Sequence, residues 1–465
     1  MWNWFADRVK AGRDCTAVIT PDEHLSYHTL ARRAEEVAES LPSEDGPRPW
    51  RVAVRDPDPW TVLIRVLACW RRGYSPVVLR DSMTQAQVAD IVRWLKPLAV
   101  LDGPLAAVSE TTSGASRPLA DREEALVICT SGTTGIPKLV ALPAESVRIN
   151  AMTIAGSLGI GTSDLVAVNT PLGYMYGLMG GCMASIHAMA TIRLFRPRDP
   201  LTQLQAGIRR EGVTVVQGPP SLFRLFLAYW NGEPFPGVKV VTTGGEPLGE
   251  ELADGLARAF PNARRLFLYG MTEAGPRISH LDFNQGGGQD SCIGVPYDHI
   301  DWRLEPVDGT DAGRLILRGP GMFLGYITSD GCYEGLDDAG FFHSNDLLSR
   351  GPSGYLHFRG RVDRVFRSGG RLVNPEAVER VLASHPCVAD AVCFAEPHPV
   401  LGLVPIAEIV MREGAILDQA ALHGLCAGRM EAHAIPRRLT QVEAGSLADS
   451  GKRARPRPST PHRVD

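Results

Sequence analysis

Hydrophobic and polar positions alternate along this chain with two distinct periods, and the first 290 residues switch repeatedly between them. From Leu30 to Leu41 the apolar residues Leu30, Ala34, Val37 and Leu41 recur at helical spacing, and Trp60 to Trp70 reads as a second helix. Between them Arg51 to Val54 predicts a short strand. Ala125 to Cys129 is an unbroken apolar run, the pattern of a strand buried on both faces of a parallel sheet. Val213 to Gln217, Val238 to Thr242 and Arg265 to Leu268 read the same way, each followed by Gly or Pro and then a helix-like stretch. Repeated strand–loop–helix units predict an open α/β sheet with its ligand loops at the carboxyl ends of the strands.

After Cys292 the texture changes. Short β-type runs at Asp301–Leu304, Arg314–Leu317 and Gly354–Phe358 lie between Gly- and Asp-rich turns, which suggests a small antiparallel barrel or sheet. A last unit is expected from Arg361, with helices over Pro375–Ser384 and Ala420–Met430 and strands around Val388–Phe394 and Ile406–Met411. The tail from Gly451 to Asp465 carries Lys452, Arg453, Arg455, Arg457 and Arg463 among Pro and Ser and reads as a flexible end.

Composition narrows the function classes. The chain has 465 residues, enough for two or three domains, and a net charge of −4, so no global basic field invites nucleic acid or an anionic membrane. With 48 glycines and 35 prolines, many shaped loops are implied. The segment from Leu165 to Ile192 holds no Asp, Glu, Lys or Arg. Its Pro171, Gly173, Gly177, Gly180 and Gly181 favour a buried strand, a Pro-Leu-Gly turn and a core helix from about Met179 over a membrane span. Nine scattered cysteines show no CxxC pair and no zinc spacing, and the charged opening from Met1 to Arg8 is unlike a signal peptide. A reducing, cytoplasmic setting is expected.

Two motifs carry chemistry. Thr130, Ser131, Gly132, Thr133, Thr134, Gly135 and Lys138 follow the apolar Ala125–Cys129 strand directly. Hydroxyls and glycines there can turn tightly and present donors to a polyanion, and Lys138 adds a point charge. The spacing differs from a Walker A loop. In the second, Leu268 to Gly275, Tyr269 and Gly270 end a strand and Thr272 stands beside Glu273. Glu273 could ligate Mg²⁺, Thr272 could donate to a phosphate and Tyr269 offers a ring face to a base. Taken alone, a Thr-Glu pair also suits a helix cap.

In their order and spacing these pieces, with Gly340–Asp346, Gly360–Arg364 and Ser450–Lys452, resemble the adenylate-forming superfamily. That group comprises acyl- and aryl-CoA synthetases, the adenylation domains of nonribosomal peptide synthetases, and luciferases. The resemblance runs from Leu25–Leu30, similar to the family's strand-and-helix opening, to Lys452. It implies an α/β architecture: a large N-terminal domain (1–360) of two stacked α/β subdomains plus a small β-barrel, then a small mobile α+β C-terminal domain (361–465). ATP and Mg²⁺ are implied, with CoA or a phosphopantetheine as thiol acceptor. A small carboxylic acid is the implied substrate and an acyl carrier protein a possible partner.

Residue by residue, the resemblance implies that Thr130 to Lys138 handle the β- and γ-phosphates and that Gly244, Gly245, Glu246 and Pro247 border the adenine. Tyr269 would stack on that base, with Gly270 and Met271 following, and Thr272 and Glu273 would fall at the α-phosphate and Mg²⁺. Asp346 and Arg361 match ribose and phosphate positions, Asp363 the hinge, Gly369 and Gly370 the thiol channel, and Lys452 the mobile lysine at the reacting carboxylate. A carboxylate that attacks the α-phosphorus displaces pyrophosphate and gives a mixed anhydride, from which AMP is then a good leaving group when the thiol attacks. A lysine, a metal and hydroxyl donors stabilise the charge that builds there. Rotation of the small domain would then admit the thiol.

The pocket implied for the acid comprises Tyr174, Met175, Tyr176, Gly218, Gly244, Ala274 and Gly275. Many relatives have His at Tyr174, and amino-acid-activating ones have Asp at Met175. An ammonium left unpaired beside Met175 would be costly, so an acid without an α-amino group, aromatic or medium-chain, fits better. Leu139, Pro143 and the Ser344-Asn345 pair depart from the family pattern, and the segment before Lys452 lacks a common proline. These departures leave two other readings: an adenylase that passes its acyl group to an amine or stops at the adenylate, and a degenerate nucleotide binder without turnover.

Overall fold

The computed structural model describes residues 1–42, 49–103, 108–110, 124–130, 137–196, 198–285, 291–307, 312–329 and 331–443. They divide into two compact units. The first holds the described residues up to Trp302 together with Leu317–Phe342, and the second holds Arg303–Ile316 and the described residues from His343 onward.

The first unit contains two sheets. One runs, in spatial order, through Cys292–Pro296, Ser279–Asp282, Arg264–Tyr269, Val240–Gly244, Val215–Gln217, Leu165–Val168, Thr191–Leu194, Thr16–Ile19 and His24–Ser26. The six strands from Arg264–Tyr269 to Thr16–Ile19 are parallel, in register such as Val241 beside Arg265 and Val216 beside Val241. Leu165–Val168, Val215–Gln217, Val240–Gly244 and Arg264–Tyr269 overlap the strands the sequence pattern predicts, while Thr16–Ile19 and Thr191–Leu194 are additional. Behind them Phe223, Phe226, Phe235 and Phe260 form an aromatic cluster with ring centroids 5.4–6.4 Å apart.

The second sheet orders Tyr333–Glu334, Gly325–Ile327, Lys138–Pro143, Glu124–Thr130, Ser75–Val78, Arg51–Arg55, Ala99–Asp102 and Val108–Glu110. The Ala125–Cys129 run is buried along its length as expected. Its neighbours differ from a purely parallel setting: it is parallel to Ser75–Val78 and antiparallel to Lys138–Pro143, with Thr130 opposite Lys138.

Local signals place the helices. Ser26 accepts a hydrogen bond from the Thr29 N–H at 3.1 Å and starts the Tyr27–Ser40 helix, whose buried residues Tyr27, Leu30, Ala31, Ala34 and Ala38 lie at helical spacing. In the uncharged segment the strand is Leu165–Val168, and the helix starts earlier than Met179. It is a π-helix over Tyr176–Met183 that continues as an α-helix over Ala184–Ala188. No helix among the described residues is long and apolar enough to cross a membrane.

In the second unit, Gly313–Arg318, Phe342–Arg350 and Leu356–Arg361 are neighbouring strands, with Asp346 opposite Arg361. A further sheet of Arg371–Val373, Phe366–Ser368, Gly402–Met411, Val388–His398 and Leu439–Val442 is packed by the helices Pro375–Ala383 and Gln419–Ala427. Its core includes Val378, Leu382, Ile409 and Leu422.

One ion pair locks the second sheet of the first unit. Arg51 forks onto Glu124 at 2.9 Å through both Nε and Nη2, and the Tyr333 hydroxyl donates to the same carboxylate at 2.8 Å. Both charges are buried, so removal of one strands the other. Glu124→Ala is expected to cost about 3–5 kcal/mol of unfolding free energy in urea, and Glu124→Gln distinctly less.

Candidate active site

The carboxyl ends of Leu165–Val168, Val215–Gln217, Val240–Gly244 and Arg264–Tyr269 face one edge of their sheet, and the loops that follow them carry most of the expected site residues. Backbone packing fixes the last of these loops. A Cβ on Gly270 would fall 1.8 Å from the Pro276 carbonyl oxygen. One on Gly275, whose φ is +69°, would fall 2.4 Å from Asn150 Nδ2. Only glycine fits at either position. Between them Thr272–Ala274 forms a 3₁₀ turn, with Ala274 buried and Glu273 directed sideways.

Glu273 Oε1 accepts a hydrogen bond from the Tyr326 hydroxyl at 2.6 Å, and Lys138 Nζ lies 4.4 Å from the centre of the Tyr326 ring. A carboxylate, a phenol and an ammonium therefore meet where the two sheets of the first unit approach. Thr130 pairs with Lys138 across the strands, and its Oγ1 donates to the Lys138 carbonyl at 3.4 Å. Ser131, Gly132, Thr133, Thr134 and Gly135, and Lys452, lie outside the described residues.

Other expected residues fall into place with specific partners. Tyr269 ends its strand, and its carbonyl accepts the Ile278 N–H at 3.0 Å. Met271 precedes the 3₁₀ turn. Gly244 closes the Val240–Gly244 strand, and Gly245 follows in the left-handed region. The Glu246 carboxylate is engaged elsewhere: it accepts from the Ser221 N–H at 3.0 Å and Oγ at 2.8 Å, at the start of the Pro220–Ala228 helix. Pro247 accepts from Arg224 at 3.1 Å. The side chain of Glu246 thus shapes its loop and leaves the loop's backbone to face any ligand.

Among the residues expected to line the acid pocket, Met175 is 5% exposed and Tyr174 is 42% exposed, with the Arg80 guanidinium 5.7 Å from the Tyr174 ring centre. The Tyr176 hydroxyl lies 3.0 Å from the Thr242 carbonyl and 2.7 Å from its Oγ1, and burial pushes its pKa up to about 12. It is a neutral anchor, not a base. Gly218 follows Gln217, and its N–H donates to the Thr242 carbonyl at 3.1 Å.

In the second unit, Arg361 Nη1 lies 3.8 Å from Asp346 Oδ1, and Arg361 also donates to both Asp363 oxygens, at 3.0 and 3.4 Å. The departing pair Ser344-Asn345 keeps a formed turn: Ser344 Oγ accepts the Asp346 N–H at 3.2 Å, and the Asn345 carbonyl accepts Val362 N–H at 2.7 Å. Gly369 and Gly370 take positive φ at the turn before Arg371–Val373. Leu139 is buried in its strand, and Pro143 sits at the start of the Ala144–Leu158 helix.

The family model for the AMP-binding enzyme matches residues 5–327, and that for the AMP-binding enzyme C-terminal domain matches 377–452. The chain belongs to the AMP-binding enzyme family. It is an adenylate-forming enzyme, of the AMP-forming acid–thiol ligase class. A feruloyl-CoA synthase from Amycolatopsis sp is 27% identical over 97% of this chain and 96% of its own length. A 2-succinylbenzoate–CoA ligase from Bacillus cereus is 24% identical over 95% of each chain. ATP-bound MatB from Rhodopseudomonas palustris superposes with a TM-score of 0.81 at 21% identity, covering 95% of both chains. The o-succinylbenzoate CoA synthetase MenE of Bacillus subtilis, with ATP and magnesium ion, gives 0.79 at 21% identity over 95% of this chain and 96% of its own. These two structures share the fold.

Four residues at this enzyme's sheet edge escape a motif-based reading: Tyr326, Arg80, Gln217 and Arg277. Tyr326 had a sequence signal, the Phe323-Leu-Gly-Tyr run that repeats aromatic and Gly positions after an apolar strand. Arg277, directly after the Thr-Glu motif, is a charge in an otherwise apolar stretch.

The edge also carries a pH signature. His280, 3.0 Å from the Tyr297 hydroxyl through Nδ1, is held below the usual imidazole range by burial and by the charges of Arg277 and Arg264. His187 and His299 are lowered too, each chiefly by burial. A depressed folded-state pKa leaves stability intact above the unfolded value near 6.5. That stability is lost as pH falls through the folded-state value. The melting temperature is therefore expected to drop between pH 7.5 and 5.5, and His280→Gln to shrink that drop.

Proposed function

We propose that this enzyme activates a carboxylic acid without an α-amino group, aromatic or medium-chain, as its acyl-adenylate and then transfers the acyl group to CoA, releasing AMP. The observation that carries the reading is the meeting of Glu273, Tyr326 and Lys138 beside the loop from Thr130 to Lys138. Such a cluster suits a polyphosphate and its counter-ion. The donor set fits Mg²⁺, which prefers hard oxygen ligands and keeps waters and phosphate oxygens. Among the described residues no group of three His, Cys, Asp or Glu gathers for a softer metal. With ATP, that ion would neutralise charge on the phosphate oxygens.

The chain's own residues take the remaining roles. Tyr326 holds the Glu273 carboxylate in one orientation by its hydrogen bond. Lys138 and the Thr130–Gly135 hydroxyls and N–H groups receive the β- and γ-phosphates, and Thr272 donates to the α-phosphate. Tyr269 stacks on the adenine, with Gly270 and Met271 beside it, while Gly244, Gly245 and Pro247 border it. Asp346 accepts from the ribose hydroxyls, and Arg361 counters phosphate charge. Lys452 approaches the carboxylate and the α-phosphate oxygens as the anhydride forms. The small C-terminal domain, residues 361–465, carries that lysine and moves about Asp363, after which the thiol enters past Gly369 and Gly370. Met175 and Tyr174 offer no carboxylate to an α-ammonium, which supports an acid of the stated kind. Relatives named as CoA ligases, matched over nearly their whole length, support CoA as acceptor in preference to a carrier-protein phosphopantetheine.

The test is acid-dependent ATP–pyrophosphate exchange, followed by CoA-dependent AMP release. Glu273→Ala and Lys452→Ala are each expected to lower exchange at least 100-fold, and Tyr326→Phe about 10-fold, with ATP binding retained in the Lys452 variant. Exchange that survives Lys452→Ala unchanged would overturn the assignment. AMP release independent of CoA would favour an adenylase that hands its acyl group to an amine.

A further inference from the structure

Three arginines of the first unit are nine-tenths or more buried, and two of them are fully answered. Arg51 has the Glu124 carboxylate. Arg65, 1% exposed, has Asp56 at 3.1 Å and the carbonyls of Arg55, Leu101 and Gly103. Arg277 is 2% exposed, yet both its Nη1 and Nη2 are buried without a hydrogen-bond partner, and no carboxylate forms an ion pair with it among the described residues. A guanidinium cannot shed its proton to escape this cost. A bare guanidinium buried as deeply as Arg51 and Arg65, which are both answered, points to a missing anion.

The surroundings say where that anion enters. Arg277 lies against the Tyr269–Gly270 turn: its Cα is 3.0 Å from where a Gly270 Cβ would stand. Its Nη2 is 3.5 Å from the position of a Gly180 Cβ, on the π-helix that begins at Tyr176. Gln217 Oε1, also buried and unpartnered, is 3.4 Å from that same position, while Gln217 Nε2 donates to the Gly180 carbonyl at 3.1 Å. Tyr176 feels the Arg277 charge, which lowers its pKa against the dominant effect of burial. Gln217, Tyr176 and Arg277 thus converge at the carboxyl ends of the parallel strands, beside the expected lining for the acid. A side chain at Gly180 would begin in contact with both Gln217 Oε1 and Arg277 Nη2, and glycine keeps it off them.

We infer that the acid taken by this enzyme is a dicarboxylic acid: one carboxylate reacts with ATP and the second is held by the Arg277 fork. A guanidinium presents paired N–H donors that match a carboxylate, and pairing inside a dry pocket strengthens the contact. The same charge repels an α-ammonium, in keeping with Met175. This inference rests on the ligase reading above and narrows its acid.

The test is pyrophosphate exchange with matched pairs: α,ω-dicarboxylates of three to eight carbons and the benzene dicarboxylates, each beside its half methyl ester. For the wild-type enzyme, at least one diacid is expected to exceed its half ester at least 50-fold in kcat/KM. Arg277→Met is expected to collapse that ratio to within about threefold, chiefly through the KM of the diacid, and Arg277→Lys to restore part of it. The diacid should also raise the melting temperature of the wild type and not of Arg277→Met. Half esters or simple monocarboxylates used as well as diacids by the wild type would overturn the inference and leave the ligase reading standing. A diacid preference undiminished in Arg277→Met would do the same. Should Arg277→Met fail to fold, the wild-type ratio and the Gln217→Leu variant decide the matter. Exchange with no acid of either kind would overturn the ligase reading itself.

Discussion

The hydrogen bond from the Tyr326 hydroxyl to the Glu273 carboxylate at 2.6 Å, beside that from the Phe323 N–H to the Glu273 carbonyl at 2.9 Å, joins the two sheets of the first unit at the point where chemistry is proposed. Glu273 stands on the turn after the parallel strand Arg264–Tyr269, and Tyr326 on a strand of the other sheet beside Lys138. Lys138 in turn rests over the Tyr326 ring. Opposite charges are thus held close by a neutral spacer without being fused into one ion pair. A direct Lys–Glu bridge would neutralise both. With the ring between them, each keeps coordination sites for a polyphosphate and its counter-ion. The glycines at 270 and 275 matter for the same reason, since the turn that aims Glu273 has no room for a Cβ at either end.

The three most deeply buried arginines of the first unit differ in what surrounds them. Arg51 and Arg65 are surrounded by acceptors and serve as tension members between strands and loops. Among the described residues the Arg277 Nη1 and Nη2 have none, and Arg277 sits at the sheet edge where ligands of open α/β folds bind. The unsatisfied cation costs the protein stability in the absence of a ligand. A fold that satisfies its structural arginines and leaves one bare at its mouth is using that one for recognition.

Much of the architecture was legible in the sequence because parallel strands buried on both faces are short apolar runs followed by Gly or Pro. Val240–Gly244 and Arg264–Tyr269 lie within two residues of their expected bounds. The helical spacing of Leu30, Ala34, Val37 and Leu41 likewise pointed to the Tyr27–Ser40 helix, read as Leu30–Leu41. Periodicity failed at Tyr176–Met183, where a π-helix of almost wholly apolar residues carries no 3.6-residue signal. The antiparallel return of Lys138–Pro143 was hidden too, since a strand's neighbours are a tertiary choice. Of the site, motifs pointed to the residues proposed to receive the polyphosphate. They did not show Tyr326 or Arg277, because the aromatic and Gly run around Tyr326 and the single charge of Arg277 take their meaning from the groups the fold brings near them. Nor did motif reading show that the Glu246 carboxylate, in the segment expected to border the adenine, holds Ser221 at the start of a helix.

The central claim is that this sheet edge builds an acyl-adenylate. It is tested most directly by a single-turnover experiment with enzyme in excess over α-labelled ATP, a carboxylic acid and no thiol, quenched in acid and resolved by mass. The account predicts that one acyl-AMP accumulates per ATP consumed, bound to the enzyme, and that added CoA discharges it to AMP and a thioester. Label recovered as ADP, or ATP bound and unconsumed with every acid that promotes its binding, would contradict it.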